Sequence, residues 1–279
     1  MLPNASELTA KAYPAAGASP AAGILVCVLT ELVPPAAAPA APIDPFDEPG
    51  LARLREFYAP PRPDWFRINL ITSLSGSAAG SDGTSDTLTN RTDRRILGVV
   101  RGHADLVLVG AQSVRAEGYQ VPRSTRLGVV TGSGDLHGHR IDPADADRVI
   151  VLCPPSSREA AAAGLPGARI VEVPAADGHL PAADVLAVLH ELGLRSLVCE
   201  GGPSLAAQFA AAGLVDELCL TTAPQLTGTT LPALGERAFT PTAFRLERLL
   251  LDEASTLYAR WLRTAEIPES ASQSPIAAS

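Results

Sequence analysis

The sequence predicts an α/β fold with a mixed, mainly parallel sheet and an antiparallel strand pair near its C-terminal end. Between Trp65 and Thr222 short apolar runs alternate with helix-length segments, the pattern of βαβ units. The run Asp105-Leu106-Val107-Leu108-Val109 is almost continuously apolar, as in a parallel strand buried on both faces. Phe244 to Leu251 and Ser255 to Leu262 are joined by Asp252-Glu253-Ala254, which reads as an antiparallel pair.

Residues 1–63 are dominated by Ala and Pro and form an extension, expected to be partly ordered. Within it, Ile24 to Leu32 can add a strand or cover a sheet edge. Asp47 to Tyr58 predicts a short helix with Leu51, Leu54 and Phe57 at helical spacing. The domain proper, 64–264, opens on the strand Trp65 to Leu74. Ser75 to Ser85 follows as a loop of small residues with no hydrophobic anchor, free to move over a ligand. Thr89 or Asn90 caps the next helix, which buries Ile96, Leu97 and Val100. Further strands are expected at Ala104 to Gly110, Arg126 to Thr131, Arg148 to Cys153 and Leu214 to Thr222, with helices at Ser157 to Ala163 and Ala182 to Leu192. After Thr264 the tail, 265–279, is an unpatterned run expected to be disordered.

The most informative stretch is Leu197-Val198-Cys199-Glu200-Gly201-Gly202-Pro203-Ser204-Leu205, a strand, a tight turn and a helix start. Two glycines admit a close approach by a ligand, and Pro203 suits the first helical turn. Free N–H groups of Ser204 and Leu205 would then form an anion site at the helix N-terminus, with Glu200 beside it at the carboxyl end of the strand. Taken alone, the same residues also fit a purely structural turn. Arg101 is equally open: a cation near a helix C-terminus opposes the dipole, or it binds a ligand. Asp216-Glu217, ahead of an apolar strand, reads as a solvated boundary or salt-bridge site.

Composition narrows the class. The 279 residues are 46% hydrophobic, enough for a full core, and carry a net charge of −8. That charge argues against a nucleic-acid or anionic-membrane partner. Cys27, Cys153, Cys199 and Cys219 are widely spaced without a Cys-x-x-Cys pair, and His137-Gly138-His139 lacks a third ligand, so no metal is expected. The apolar run Ile24 to Leu29 is too short to span a membrane and no signal peptide is apparent, which points to the cytoplasm. Nucleophile-elbow, Walker and Gly-x-Gly-x-x-Gly motifs are missing.

Several stretches together resemble the riboflavin-biosynthesis pyrimidine reductases, also found as the C-terminal domain of bacterial bifunctional deaminase-reductases. They are Ser73-Leu74-x-Gly76, Gly83-x-Ser85, Arg101 with Ala104-Asp105, Gly110-x-x-Ser113-Val114-Arg115-Ala116-Glu117, Glu200 to Leu205, and Gly213 to Leu218 with Ala223-Pro224 and Gly228. The resemblance implies a dihydrofolate-reductase-like three-layer α/β/α domain, a homodimer, and NADPH reducing the ribosylamino sugar of a 5-amino-6-(5-phosphoribosylamino)uracil. It places Ile71, Ser113, Glu117, Thr131, Gly132, Ser133, Gly201, Gly202, Pro203, Ser204 and Leu205 at the cofactor, the 131–133 turn receiving the adenosine end. Ser75, Ser85, Arg101 and Glu200 fall where such enzymes hold substrate. Glu117 and Glu200 are the candidate proton-handling groups. The family pattern has Asp where this chain has Ser75, which raises two alternatives: a reductase of a pterin, folate or other heterocycle, or a non-catalytic nucleotide-binding protein on the same fold. The extension carries no His-x-Glu or Pro-Cys-x-x-Cys zinc motif, so a deaminase is not expected in it.

Overall fold

The computed structural model describes residues 28–33, 41–175, 179–228, 231–236 and 238–265. The expectations for 1–27, for most of the Ala/Pro linker and for the tail after residue 265 lie outside them. In chain order the elements are β1 (Leu29–Val33), α1 (Glu48–Phe57), β2 (Trp65–Ser73), α2 (Arg91–Gly102), β3 (Leu106–Gly110), α3 (Ala111–Glu117), β4 (Arg126–Val130) and β5 (Val149–Cys153). They continue with α4 (Arg158–Gly164), β6 (Arg169–Glu172), α5 (Ala182–Glu191), β7 (Ser196–Cys199), α6 (Pro203–Ala211), β8 (Glu217–Ala223), β9 (Phe244–Asp252) and β10 (Leu257–Arg263).

Among the described residues all ten strands join one sheet in the order β1-β9-β10-β8-β2-β7-β3-β4-β5-β6. From β8 to β6 neighbouring strands are parallel, whereas β10, β9 and β1 add antiparallel to the β8 side. β7 returns between β2 and β3, so the chain reverses its direction of travel across the sheet there, and the carboxyl ends of β2, β7 and β3 open a crevice.

Two apolar cores make three layers. Val107 and Val109 of β3 point to one face, with Val99 and Val100 of α2, Val114 of α3 and Ala161 of α4. Leu106 and Leu108 of the same strand point to the other, against Val185 and Leu189 of α5 and Phe209 of α6. Alternation along a strand buried on both sides explains why the run reads as continuously apolar.

The extension is part of this packing. Asp47 caps α1 by accepting from the Gly50 N–H at 2.6 Å, and Leu51, Leu54 and Phe57 are buried on the sheet face that also holds Tyr258 and Leu250. β1 pairs with β9, as an edge-covering strand should. Two elements had no clear sequence signal. β6 is a four-residue edge strand, and α3 is a seven-residue helix whose one large apolar side chain is Val114.

The loop after β2 departs from its reading. Ala79 and Ser77 are buried, the Ser73 N–H donates to the Ser77 carbonyl at 2.9 Å and the Ala78 N–H to the Leu231 carbonyl at 2.8 Å. Asp82 further accepts from the Thr84 N–H, Thr84 hydroxyl and Thr87 hydroxyl. Hydrogen bonds supply the anchoring that apolar residues do not. Of the two readings of Asp216-Glu217 the structure shows the salt-bridge site: Asp216 meets Arg62 at 2.7 Å, and Glu217 is fully buried. Arg260 Nε donates to it at 3.0 Å, Arg67 Nη2 at 3.1 Å and Trp65 Nε1 at 2.7 Å. These arginines also cap the end of α1, Arg67 on the Tyr58 carbonyl and Arg260 on those of Phe57 and Ala59.

Candidate active site

Two cavities open at the carboxyl ends of the parallel strands and meet at Gly83, Glu117, Gly202, Pro203 and Leu231. The larger, about 780 Å³, is bounded by α3, the turn after β4 and the start of α6. The smaller, about 380 Å³, is bounded by β2, α2 and the end of β7. Both fall in the usual size range for small-molecule sites, about 300–1,000 Å³.

The larger cavity gathers most of the predicted cofactor residues: Ser113, Glu117, Thr131, Gly132, Ser133, Gly202, Pro203, Ser204 and Leu205. Gly201 has φ +97°, open to glycine, and its carbonyl accepts from the Gly110 N–H at 2.8 Å. Gly201 therefore shapes the turn and lines neither cavity. A Cβ on Gly202 would lie 2.8 Å from the Ser113 hydroxyl, so any side chain there would crowd the junction of the two helix starts. The Leu205 N–H donates to the Gly202 carbonyl at 3.0 Å, which removes it from the anticipated set of free donors. The Ser204 N–H has no partner among the described residues and keeps that role at the positive end of α6.

In the smaller cavity Ile71, Ser85, Arg101, Glu117 and Glu200 come together. Arg101 grips Glu200 with a two-pronged contact, Nε to Oε1 at 2.7 Å and Nη2 to Oε2 at 2.6 Å, and also donates to the Tyr119 hydroxyl at 2.8 Å. Burial works against the Arg101 charge, but the Glu200 carboxylate outweighs it and raises the guanidinium pKa. The pair keeps an open side, with the arginine side chain 22% exposed. Much of Glu117 faces the cleft, yet partial burial of its carboxyl holds its pKa above the ordinary range. The hydrogen bond from the Ser85 hydroxyl, 3.1 Å, only partly offsets this, and Asp86 and Glu200 push the same way as burial. A carboxyl whose protonated form persists to higher pH than an ordinary glutamate's, at the junction of two cavities, can donate a proton to a ligand spanning them.

Ser75 is not part of this assembly. Its hydroxyl bonds the Ser73 hydroxyl at 2.8 Å and the Thr227 carbonyl at 3.1 Å, fastening two loops, and it lines neither cavity. Asp93, Asn69, Arg94 and Tyr119, not anticipated from the sequence, do line the smaller one. Asp93 is held by the Thr89 hydroxyl at 2.6 Å and the Thr221 hydroxyl at 2.7 Å, and burial raises its pKa. Arg94 had a legible signal, because it stands two turns before Arg101 on one helix face. Behind α2 an adjoining groove of about 650 Å³ is lined by Arg55, Arg94, Arg95, Arg101 and Arg123 and by no carboxylate.

His137 and His139 form the polar turn expected of them, His139 Nε2 lying 3.1 Å from the Gly164 carbonyl. Among the described residues no group of three or more potential metal ligands exists, and no helix is long and apolar enough to cross a membrane. Cys199, beside the site, is buried and its thiol is pushed up to about 12, so it packs as an inert apolar group.

A family model described as the RibD C-terminal domain matches residues 64–258. The chain belongs to that family. It is 25% identical over 206 residues to the riboflavin biosynthesis protein RibD of Escherichia coli K12, a match covering 63% of this chain and 54% of that protein. The chain thus spans about half the length of this RibD relative. A pyrimidine reductase-like protein from Corynebacterium diphtheriae superposes with a TM-score of 0.64 at 25% identity, covering 76% of this chain and 99% of its own. The riboflavin biosynthesis reductase of Saccharomyces cerevisiae shares the fold, with a TM-score of 0.58 at 15% identity over 77% of this chain and 99% of its own. The RibD-type reductase fold expected from the sequence is the one observed. The family match starts at residue 64, so β1 and α1 precede the shared unit.

Proposed function

We propose that the protein is an NADPH-dependent reductase that converts the ribosylamino group of a 5-amino-6-(5-phosphoribosylamino)uracil to the ribityl chain. The observation that supports this reading is the junction at Glu117, where a cavity bounded by the start of α6 meets one lined by Arg94, Arg101, Glu200 and Asp93. Two features support the larger cavity as the cofactor's: Gly202 lines it with no side chain, a Cβ there crowding the Ser113 hydroxyl, and the Ser204 N–H and the start of α6 are available for a pyrophosphate. Bound there, the reduced nicotinamide would supply the hydride.

The protein's own groups do the rest. Arg101, fixed by Glu200 and Tyr119, orients the substrate, and the arginine groove continuing from it suits the sugar phosphate. Glu117 supplies the proton taken up at nitrogen as the imine-like carbon is reduced, and Ser85 fixes its carboxyl. Ser75, outside both cavities, gives no reason to prefer another heterocycle. The direct test supplies purified protein with NADPH and the deaminated ribosylaminopyrimidine phosphate. Loss of NADPH absorbance together with a product two hydrogens heavier is expected; binding of NADPH without its oxidation would overturn the reading.

We further propose a homodimer formed through the sheet face of Leu249, Leu251, Leu257, Ala259 and Trp261. These cross-strand neighbours are half-buried, while Leu250, Tyr258 and Arg260 on the opposite face are fully buried. Sedimentation should give a dimer, and Ala259→Asp should shift it to monomer.

A further inference from the structure

We infer that Arg115 is the residue by which this chain distinguishes a 2′-phosphorylated dinucleotide from its unphosphorylated counterpart. This rests on the reductase reading above and extends it to a residue outside the turn to which the adenosine end was assigned. Among the described residues lining the larger cavity, Arg115 is the single Arg or Lys. Its position follows from the sheet order. β7, β3 and β4 are consecutive neighbours, and α6, α3 and the 131–135 turn follow them respectively. Adjacent strands lie about 4.8 Å apart, so the start of α6 and the turn after β4 are separated by about 10 Å. Arg115, on α3, leans to the β4 side: its Nη1 donates to the Asp135 carbonyl and stands 3.7 Å from the Asp135 carboxylate. The cation is therefore held on the β4 side of the cleft, away from the proposed pyrophosphate donors of α6, in a cavity that Thr131 and Ser133 also line.

The guanidinium has capacity to spare. Nε and Nη2 have no partner among the described residues, and the side chain is one-third exposed. A planar fork with free donors matches a phosphate monoester, which carries two negative charges and three acceptor oxygens. Asp135 is the competing feature, but its carboxylate is 57% exposed and 3.7 Å away, a weak solvated contact that a dianion can displace. An unphosphorylated ribose offers Arg115 only neutral hydroxyls, so the gain is confined to the phosphorylated cofactor.

The test is equilibrium binding of NADP⁺ and NAD⁺, by calorimetry, to wild-type protein, Arg115→Gln and Arg115→Lys, with thermal unfolding to confirm that each variant is folded. Wild type should prefer NADP⁺. Arg115→Gln should weaken NADP⁺ by about tenfold or more while moving NAD⁺ by less than about threefold, and Arg115→Lys should keep part of the preference. An equal loss for both dinucleotides, or no loss for either, would overturn the role of Arg115 while leaving the reductase reading intact. Failure of the wild type to bind either dinucleotide would instead defeat the reading on which it rests.

Discussion

Two arginine–carboxylate pairs of the molecule, each with a buried carboxylate, differ in what surrounds them. In the Arg67–Glu217–Arg260 cluster the carboxylate is wholly enclosed and the cations also cap the last carbonyls of α1. At Arg101–Glu200 the geometry is as good, but one side is open to a cavity and the neighbours are a phenol and a second carboxyl. The first closes the core around the extension, and the second keeps a face on a cavity. Hydrogen-bond geometry is alike in the two pairs; the open side is what distinguishes the one proposed to be functional.

The largest effect should follow from opening the enclosed cluster. Glu217→Ala leaves two buried guanidinium groups uncompensated and should cost about 3–5 kcal/mol in urea unfolding. The pairing has a pH signature. Burial alone would raise the Glu217 pKa, but Arg67 and Arg260 outweigh it and hold it below the ordinary value. Its contribution to stability is therefore full above an unfolded glutamate's pKa and is lost as pH falls through the lower folded value. Stability in Glu217→Ala should depend less on pH across that acid range.

On the cleft side, Glu117→Gln should lower turnover about 100-fold or more with little change in unfolding. Because the Glu117 pKa is raised, its protonated form persists to higher pH than an ordinary glutamate's. Turnover should therefore fall as pH rises through that pKa, and this limb of the profile should disappear in the variant. An unchanged profile would remove Glu117 as the proton donor. The smallest effect is expected at Ser75→Asp, an exposed loop position, with stability within about 0.5 kcal/mol and KM essentially unchanged. A large change in KM would return that position to the substrate site.

The sequence made the α/β architecture legible because the relevant signals are local. Alternating apolar runs, the Gly201-Gly202-Pro203 turn and the α1 stripe each lie within a few residues. Glu200 is legible as a carboxylate at the carboxyl end of a predicted strand, whereas Glu117, on a helix without a local signal, is reached only through the family resemblance. What stayed hidden depends on contacts between distant positions. Arg67, Glu217 and Arg260 meet only when β2 and β10 flank β8. Asp93 faces the cavity only once Thr221 is brought beside it. Ser75 is the converse case: its motif position points to the site, whereas its hydroxyl bonds Ser73 and Thr227, and the KM of Ser75→Asp decides between the two.

The most direct measurement is steady-state NADPH oxidation by Glu200→Gln beside wild type, with urea unfolding and NADP⁺ binding on the same preparations. If the open pair serves the substrate, kcat/KM should fall about 100-fold or more, while stability changes by about 1 kcal/mol or less and NADP⁺ affinity is kept. Full turnover in the variant, or a stability loss as large as that of Glu217→Ala, would contradict the assignment of Arg101 and Glu200 to the active site.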